Sequence, residues 1–269
     1  MTQCDFETPI FLFCSGMRSG STLLQRVIIG SGETMIWGET GGALYHLQST
    51  WECYLQMLGP GGKMFPGGLG GNGDQQLQEF IQQPTNRSHL WIPCINSGKE
   101  KLAQALREFF QKYYCETAEQ LGFKRWGIKK VRSDMATAKF MKELFPNAKF
   151  VFLIREPLAC LQSIKQHDWM DHPGDPKALN YYIDQWKKTA GSFKNADFGY
   201  KLHYEDLVNS PQVRQELFGY LEIQGVADEF FKKSRPKGRS DTAVQLSYFE
   251  KRKILKKTII ERAAFHFSR

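Results

Sequence analysis

The sequence predicts an α/β fold, a single domain whose central, mostly parallel sheet is flanked by helices, and three stretches carry that prediction. Pro9–Cys14 is a short apolar run that passes through Ser15-Gly16-Met17-Arg18-Ser19-Gly20-Ser21-Thr22 into a helical Leu/Val/Ile pattern. Phe150-Val151-Phe152-Leu153-Ile154 is apolar throughout, as strands buried on both faces are, and Pro157 suits the first position of the helix that follows. Tyr200–His203 reads as a last central strand turning directly into a helix at Tyr204-Glu205-Asp206. At 269 residues and 41% apolar, the chain can build one sizeable core, so 1–269 is read as one domain with a substrate-covering insertion at 43–98.

Taken in order, the first strand and helix enclose a phosphate loop. Gly16 and Gly20 allow a tight turn, so that backbone N–H groups and the helix start converge on one anion, with hydroxyls from Ser19, Ser21 and Thr22 and charge from Arg18. Compared with the nucleoside-triphosphate loop G-x-x-x-x-G-K-[ST], Gly20 and Thr22 are kept, but Ser21 stands where the lysine belongs. Without that lysine the site suits a shorter, less charged phosphate chain.

A short second strand then ends at Gly38-Glu39, which puts the Glu39 carboxylate at the carboxyl edge of the sheet, beside the loop. A helix through Tyr45, Trp51 and Leu58 leads into a glycine-rich stretch at 59–73, read as a mobile cover. Leu102, Leu106, Phe109, Phe110 and Tyr113 recur at helical spacing and read as a core stripe. Arg125–Val131 is a short strand carrying Lys129 and Lys130, followed by a helix with Ser133 as N-cap and Pro146 as stop. After Ile154 stands Arg155, where a P-loop nucleotidase would place its metal-holding aspartate, and Ser163 follows two helical turns on. Arg155 and Ser163 are read as a second phosphate site. Lys232–Ser240 is a dense basic loop placed to fold over a bound polyanion.

The net charge of +8 calls for an acidic partner. Cys4, Cys14, Cys53, Cys94, Cys115 and Cys160 form no C-x-x-C pair, which predicts reduced thiols and no metal site. The first residues show no basic segment followed by a long apolar one, so a soluble cytoplasmic protein without membrane contact is expected.

With the R-S-G-S-T loop, Arg155, Ser163 and Tyr204-Glu205-Asp206 in place, the chain from about Phe11 to Ser240 resembles the PAPS-dependent sulfotransferases, nearest their tyrosylprotein and bacterial branch. The resemblance implies a P-loop-like sulfotransferase fold. It implies that Arg18, Ser19, Gly20, Ser21 and Thr22 bind the 5′-phosphosulfate of 3′-phosphoadenosine 5′-phosphosulfate, that Arg155 and Ser163 bind its 3′-phosphate, and that Tyr204 approaches the nucleotide. By the same resemblance Lys129, or Lys130 in the adjacent register, contacts the sulfonate, Glu39 in Gly38-Glu39-Thr40 is the general base, and Ser240 lies near the reacting group. Lys237-Gly238-Arg239 echoes the family's nucleotide-binding C-terminal loop. The implied activity is sulfuryl transfer from PAPS to a hydroxyl or amine of a small molecule such as a natural product, with no metal. Two rivals follow from the residues: a P-loop kinase with a degenerate loop, opposed by Ser21 and Arg155, and a nucleic-acid-binding module, for which no basic stripe with interleaved aromatics is present.

Overall fold

The chain is described by a computed structural model over residues 3–58, 62–63, 70–71, 73–83, 85, 95–132, 134–166, 176–224 and 229–232. The elements run β1 (Asp5–Cys14), α1 (Ser21–Ile29), β2 (Thr34–Trp37), α2 (Ala43–Leu58), β3 (Gly62–Lys63), β4 (Gly70–Gly71), α3 (Gly73–Gln82), α4 (Lys99–Phe110) and α5 (Glu116–Gln120). They continue with β5 (Arg125–Val131), α6 (Met135–Leu144), β6 (Lys149–Ile154), α7 (Pro157–Gln166), α8 (Pro176–Lys194), β7 (Tyr200–His203), α9 (Tyr204–Asn209), α10 (Pro211–Leu221) and α11 (Glu229–Lys232).

Five strands form one parallel sheet in the order β2-β5-β1-β6-β7, and β3 and β4 make a two-residue antiparallel ladder of their own. Cys14 lies opposite Val131 and Leu153, and His203 opposite Ile154, so the carboxyl ends of the strands share one edge. The chain goes from β1 to one side, returns as β5, then crosses to the other side as β6. The carboxyl end of β1 is therefore the switch point where an open parallel sheet leaves its crevice. Tyr200–His203, expected as a central strand, is instead an edge of this sheet: only β6 pairs with it among the described residues.

Strand alternation sorts the core into two chemistries. Phe11 and Phe13 with Trp126, Phe150 and Phe152 fill one face, against Trp51 of α2, Phe110 of α4, Phe140 of α6 and Phe193 of α8. Ile10, Leu12 and Cys14 turn the other way, with Val151, Leu153 and Leu202, onto Leu24 and Ile28 of α1 and Leu217 of α10. Edge-to-face pairs such as Phe11 with Trp126, centroids 5.8 Å apart, each add about 0.5–1.5 kcal/mol to the area they bury. The helix α2 belongs to this aromatic layer, since Leu44, Trp51 and Leu58 are buried. Most of the glycine-rich stretch 59–73 lies outside the described residues.

Two local expectations are corrected. A π-helical turn at Gln111–Cys115 separates α4 from α5, and its extra residue lets Tyr114 and Ala118 continue the buried line of Leu106 and Phe110, leaving Tyr113 63% exposed; Phe109, on α4 itself, is 43% exposed. At the start of α6 the cap is Asp134, whose side chain accepts from the Thr137 N–H at 3.1 Å; the expected cap, Ser133, lies outside the described residues.

Gly127 sits where β5 passes β1, and a Cβ there would land on the Ile10 carbonyl oxygen and on Ile36 Cδ1. Gly127→Ala is expected to cost about 1–3 kcal/mol in urea unfolding, because backbone must yield. Gly191→Ala, in α8 with nothing among the described residues within 4 Å of the new methyl, should be neutral or stabilising by up to about 1 kcal/mol.

Candidate active site

The loop after β1 is shaped by strain at one residue and space at another. Arg18 takes a left-handed backbone with φ 59°, a conformation that costs a non-glycine residue about 1–2 kcal/mol, and Gly20 has φ 91°. Gly16 has no positive φ, so the tight turn expected of it falls to Arg18 instead. What holds Arg18 there is its carbonyl, which accepts from Arg155 Nη1 at 2.7 Å and from the Cys160 thiol at 3.7 Å. Its side chain reaches across to α7, where Arg18 Nε donates to Ser163 Oγ at 2.9 Å.

Gly20 is needed twice, once for its φ and once because a Cβ there would overlap the Tyr204 ring. Tyr204, the first residue of α9, carries the Arg155 guanidinium 4.1 Å from its ring centroid. Arg155 is further placed by Glu205 Oε1, 4.0 Å from its Nε, and by Trp186 Nε1, which donates to the Arg155 carbonyl at 3.0 Å. Arg18 and Arg155, from the loops after β1 and β6, thus form one cluster with Ser163 of α7 and Tyr204 of α9 at the mouth of the loop. The sequence reading assigned Arg18 and the Arg155–Ser163 pair to separate anion pockets; the structure places them in direct contact, Arg18 on Ser163 and Arg155 on the Arg18 carbonyl.

Inside the loop, Ser15 Oγ and Ser19 Oγ are buried without a hydrogen-bond partner of normal geometry among the described residues, the weakly bonding Cys14 thiol being beside Ser19. Ser21 is buried at the start of α1 and Thr22 is exposed. Burial pushes the Cys14 and Cys160 thiols up to about 12, so neither supplies a thiolate nucleophile near neutral pH.

Across the β1 end from Arg155 lies a second pair. Lys129 is 6% exposed, and its Nζ stands 3.6 Å from Oε1 of the exposed Glu39, just past β2. Lys130 points to the opposite face and donates to the Gly41 carbonyl; burial holds its amine below the usual lysine range. Glu39 also borders a cavity of about 420 Å³ whose walls include Trp37, Thr40, Lys112, Tyr113 and Tyr114. The exposed Tyr113, displaced by the π-helical turn, therefore belongs to a wall near the carboxylate. His203, at the end of β7, is shifted below the ordinary imidazole range by burial, which favours the neutral ring. Ser240, Lys237, Gly238 and Arg239 lie outside the described residues, as does His167.

Sequence reasoning missed Arg132 and read Tyr182 only as one of a core stripe with Trp186, Ala190 and Phe193. Arg132 adopts φ 55°, donates its N–H to the Cys14 carbonyl at 3.2 Å and sets its guanidinium against the Met17 sulfur. Its left-handed backbone just past β5 breaks the strand alternation, so no local pattern announced where its side chain would go. The buried Tyr182 hydroxyl approaches Gly16 from α8, and its position depends on packing that no local pattern announces.

The architecture is an open parallel α/β sheet with a strand–loop–helix turn at its switch point, the place where such sheets leave a ligand crevice. The sequence model described as Sulfotransferase family matches residues 9–224, and the chain belongs to that family. No curated protein matches it. Among solved structures it is similar to the sulfotransferase domain from the Synechococcus PCC 7002 olefin synthase, with 22% identity over 93% of this chain and 84% of that one and a TM-score of 0.44. It is also similar to a sulfotransferase from Alicyclobacillus acidocaldarius, with 15% identity over 96% of both chains and a TM-score of 0.46. A third likeness is sulfotransferase STF9 from Mycobacterium avium, with 11% identity over 96% of this chain and 77% of that one and a TM-score of 0.45.

Gly20→Ala should destabilise the chain by about 1–3 kcal/mol through the clash with Tyr204. In a double-mutant cycle read by chemical unfolding, Gly20→Ala with Tyr204→Ala should cost less than the sum of the two single changes, because removing the ring relieves the overlap. Strict additivity would mean the ring does not rest on Gly20.

Proposed function

We propose that this chain transfers a sulfuryl group from PAPS to a hydroxyl or amine of a small-molecule acceptor, such as a natural product, releasing PAP. The observation that carries the reading is the Arg155 guanidinium, bonded to the phosphate-loop carbonyl at Arg18 and lying over Tyr204. An arginine so placed supports a ligand with two phosphate groups, one in the loop and one on the β6–α7 side, which is the distinguishing feature of this nucleotide. The residues fit it: buried Ser15 and Ser19 hydroxyls lack good partners, the start of α1 carries no acidic side chain, and Arg18 and Ser163 meet beside Arg155.

PAPS, when bound, supplies an activated sulfuryl group whose leaving nucleotide gathers negative charge. Ser19, Gly20, Ser21 and Thr22 would hold the 5′ end with Arg18, and Arg155 with Ser163 the 3′-phosphate. The Lys129 ammonium, buried at the β5 end, stabilises developing charge better than an exposed one, since water screens it less. It also fixes the Glu39 carboxylate, which takes the proton from the acceptor hydroxyl or amine. This reading favours Lys129 over Lys130 as the catalytic lysine, because Lys130 is committed to Gly41 on the other face. Nothing in it requires a metal, a nucleic acid or a membrane, and it is compatible with a cytoplasmic protein. Among the described residues no helix is long and apolar enough to cross a membrane.

Glu39→Ala should leave PAP affinity within a few-fold and lower turnover by about 10²–10⁴-fold, measured as PAP release. Unchanged turnover would retire Glu39 and direct attention to His203 or His167. Thermal-shift titration in the presence of a chelator should rank PAP well above ADP and ATP. A larger, magnesium-dependent shift with ATP would replace this reading with a kinase.

A further inference from the structure

Positive charge also gathers away from the donor residues. A cavity of about 430 Å³ opens at the carboxyl end of β5, with Lys130 and Arg132 on one side and Lys188 of α8 on the other. Tyr45 and Met135 add apolar surface. Asp134, the one acid among the described lining residues, already caps α6 through the Thr137 N–H, so its charge is partly satisfied. Lys130, Arg132 and Lys188 line this cavity with only one acid among its described lining residues, so an anion that enters it is attracted from several sides.

The position of the cavity ties it to the reacting centre. Arg132 donates its N–H to the Cys14 carbonyl at 3.2 Å and rests on Met17 of the phosphate loop. Lys130 holds the carbonyl of Gly41, two residues beyond Glu39. The cleft thus adjoins both the loop that would hold the donor and the segment that carries the base, yet it shares no residue with the Arg155–Ser163–Tyr204 cluster.

We infer that this cleft binds an anionic group, a carboxylate, sulfate or phosphate, carried by the acceptor, so that the acceptor is an acidic small molecule. The inference rests on the sulfuryl-transfer reading. Lys188, on an exposed helical face, and Arg132 are the specificity-determining residues, and Tyr45 with Met135 contacts the carbon skeleton.

The test is calorimetric titration of the whole chain, with and without saturating PAP, using 4-hydroxyphenylacetate and its neutral amide as probes. The acid should bind at least about tenfold more tightly than the amide, and Lys188→Glu or Arg132→Gln should each reduce that preference to about threefold or less. PAP affinity should stay within about twofold in Lys188→Glu. Equal binding of acid and amide, or a preference that both variants leave intact, overturns the inference. So does a marked loss of PAP affinity in Lys188→Glu, which would assign the cleft to the donor, or equal competition by inorganic sulfate, which would make it a bare anion site. Failure of the unaltered chain to bind PAP would remove the sulfuryl-transfer reading, while the titration without PAP still decides the charge preference of the cleft.

Discussion

The site depends on one hydrogen bond, from the Arg155 guanidinium to the carbonyl of Arg18. Arg18 holds an unfavourable backbone conformation, and an unfavourable conformation persists only where its surroundings impose it. Arg155 can impose it because β6 lies beside β1, Trp186 fixes its carbonyl, and Tyr204 and Glu205 confine its guanidinium. A charge-assisted bond of this kind contributes about 1.5–3 kcal/mol, enough to offset the strain at Arg18. In the proposed reading the same residue that shapes the loop would also meet the nucleotide, which would couple loop geometry to ligand binding.

The sheet explains why these groups can meet. Its switch point leaves the carboxyl end of β1 between a β5 neighbour that brings Lys129 and a β6 neighbour that brings Arg155. The aliphatic face accepts α1 closely, and the aromatic face fixes α8, whose Trp186 and Tyr182 lie beneath the loop. The aromatic core thereby stiffens a site in which a lysine is almost fully buried. Partly buried ion pairs need such stiffness, because an amine at the Lys129 position would be costly without Glu39 opposite it.

Much of this was legible in the chain because it is local. The apolar runs, the glycine-serine loop, Arg155 after a buried strand and Glu39 after Trp37 all follow from spacing within a dozen residues, and the structure brings Arg18, Arg155, Ser163 and Tyr204 together. What escaped depends on distant contacts. Whether the strain would sit at Gly16 or Arg18 is decided by Arg155, more than a hundred residues away in the chain. The exposure of Tyr113 follows from a π-helical turn that helical periodicity does not encode, and the edge position of β7 follows from pairing order rather than from its own residues. The cluster of Lys130, Arg132 and Lys188 joins a strand to a helix far along the chain, and only folding makes it a cleft.

The central claim is that Arg155 reads the second phosphate of the nucleotide as well as bracing the loop. The most direct measurement is the ratio of affinities for PAP and AMP, which differ by the 3′-phosphate, in the unaltered chain and in Arg155→Met. The account predicts that PAP binds at least about a hundredfold more tightly than AMP, and that Arg155→Met lowers this ratio by about 10–100-fold, the worth of one charge-assisted contact. A ratio that survives the substitution unchanged would contradict it.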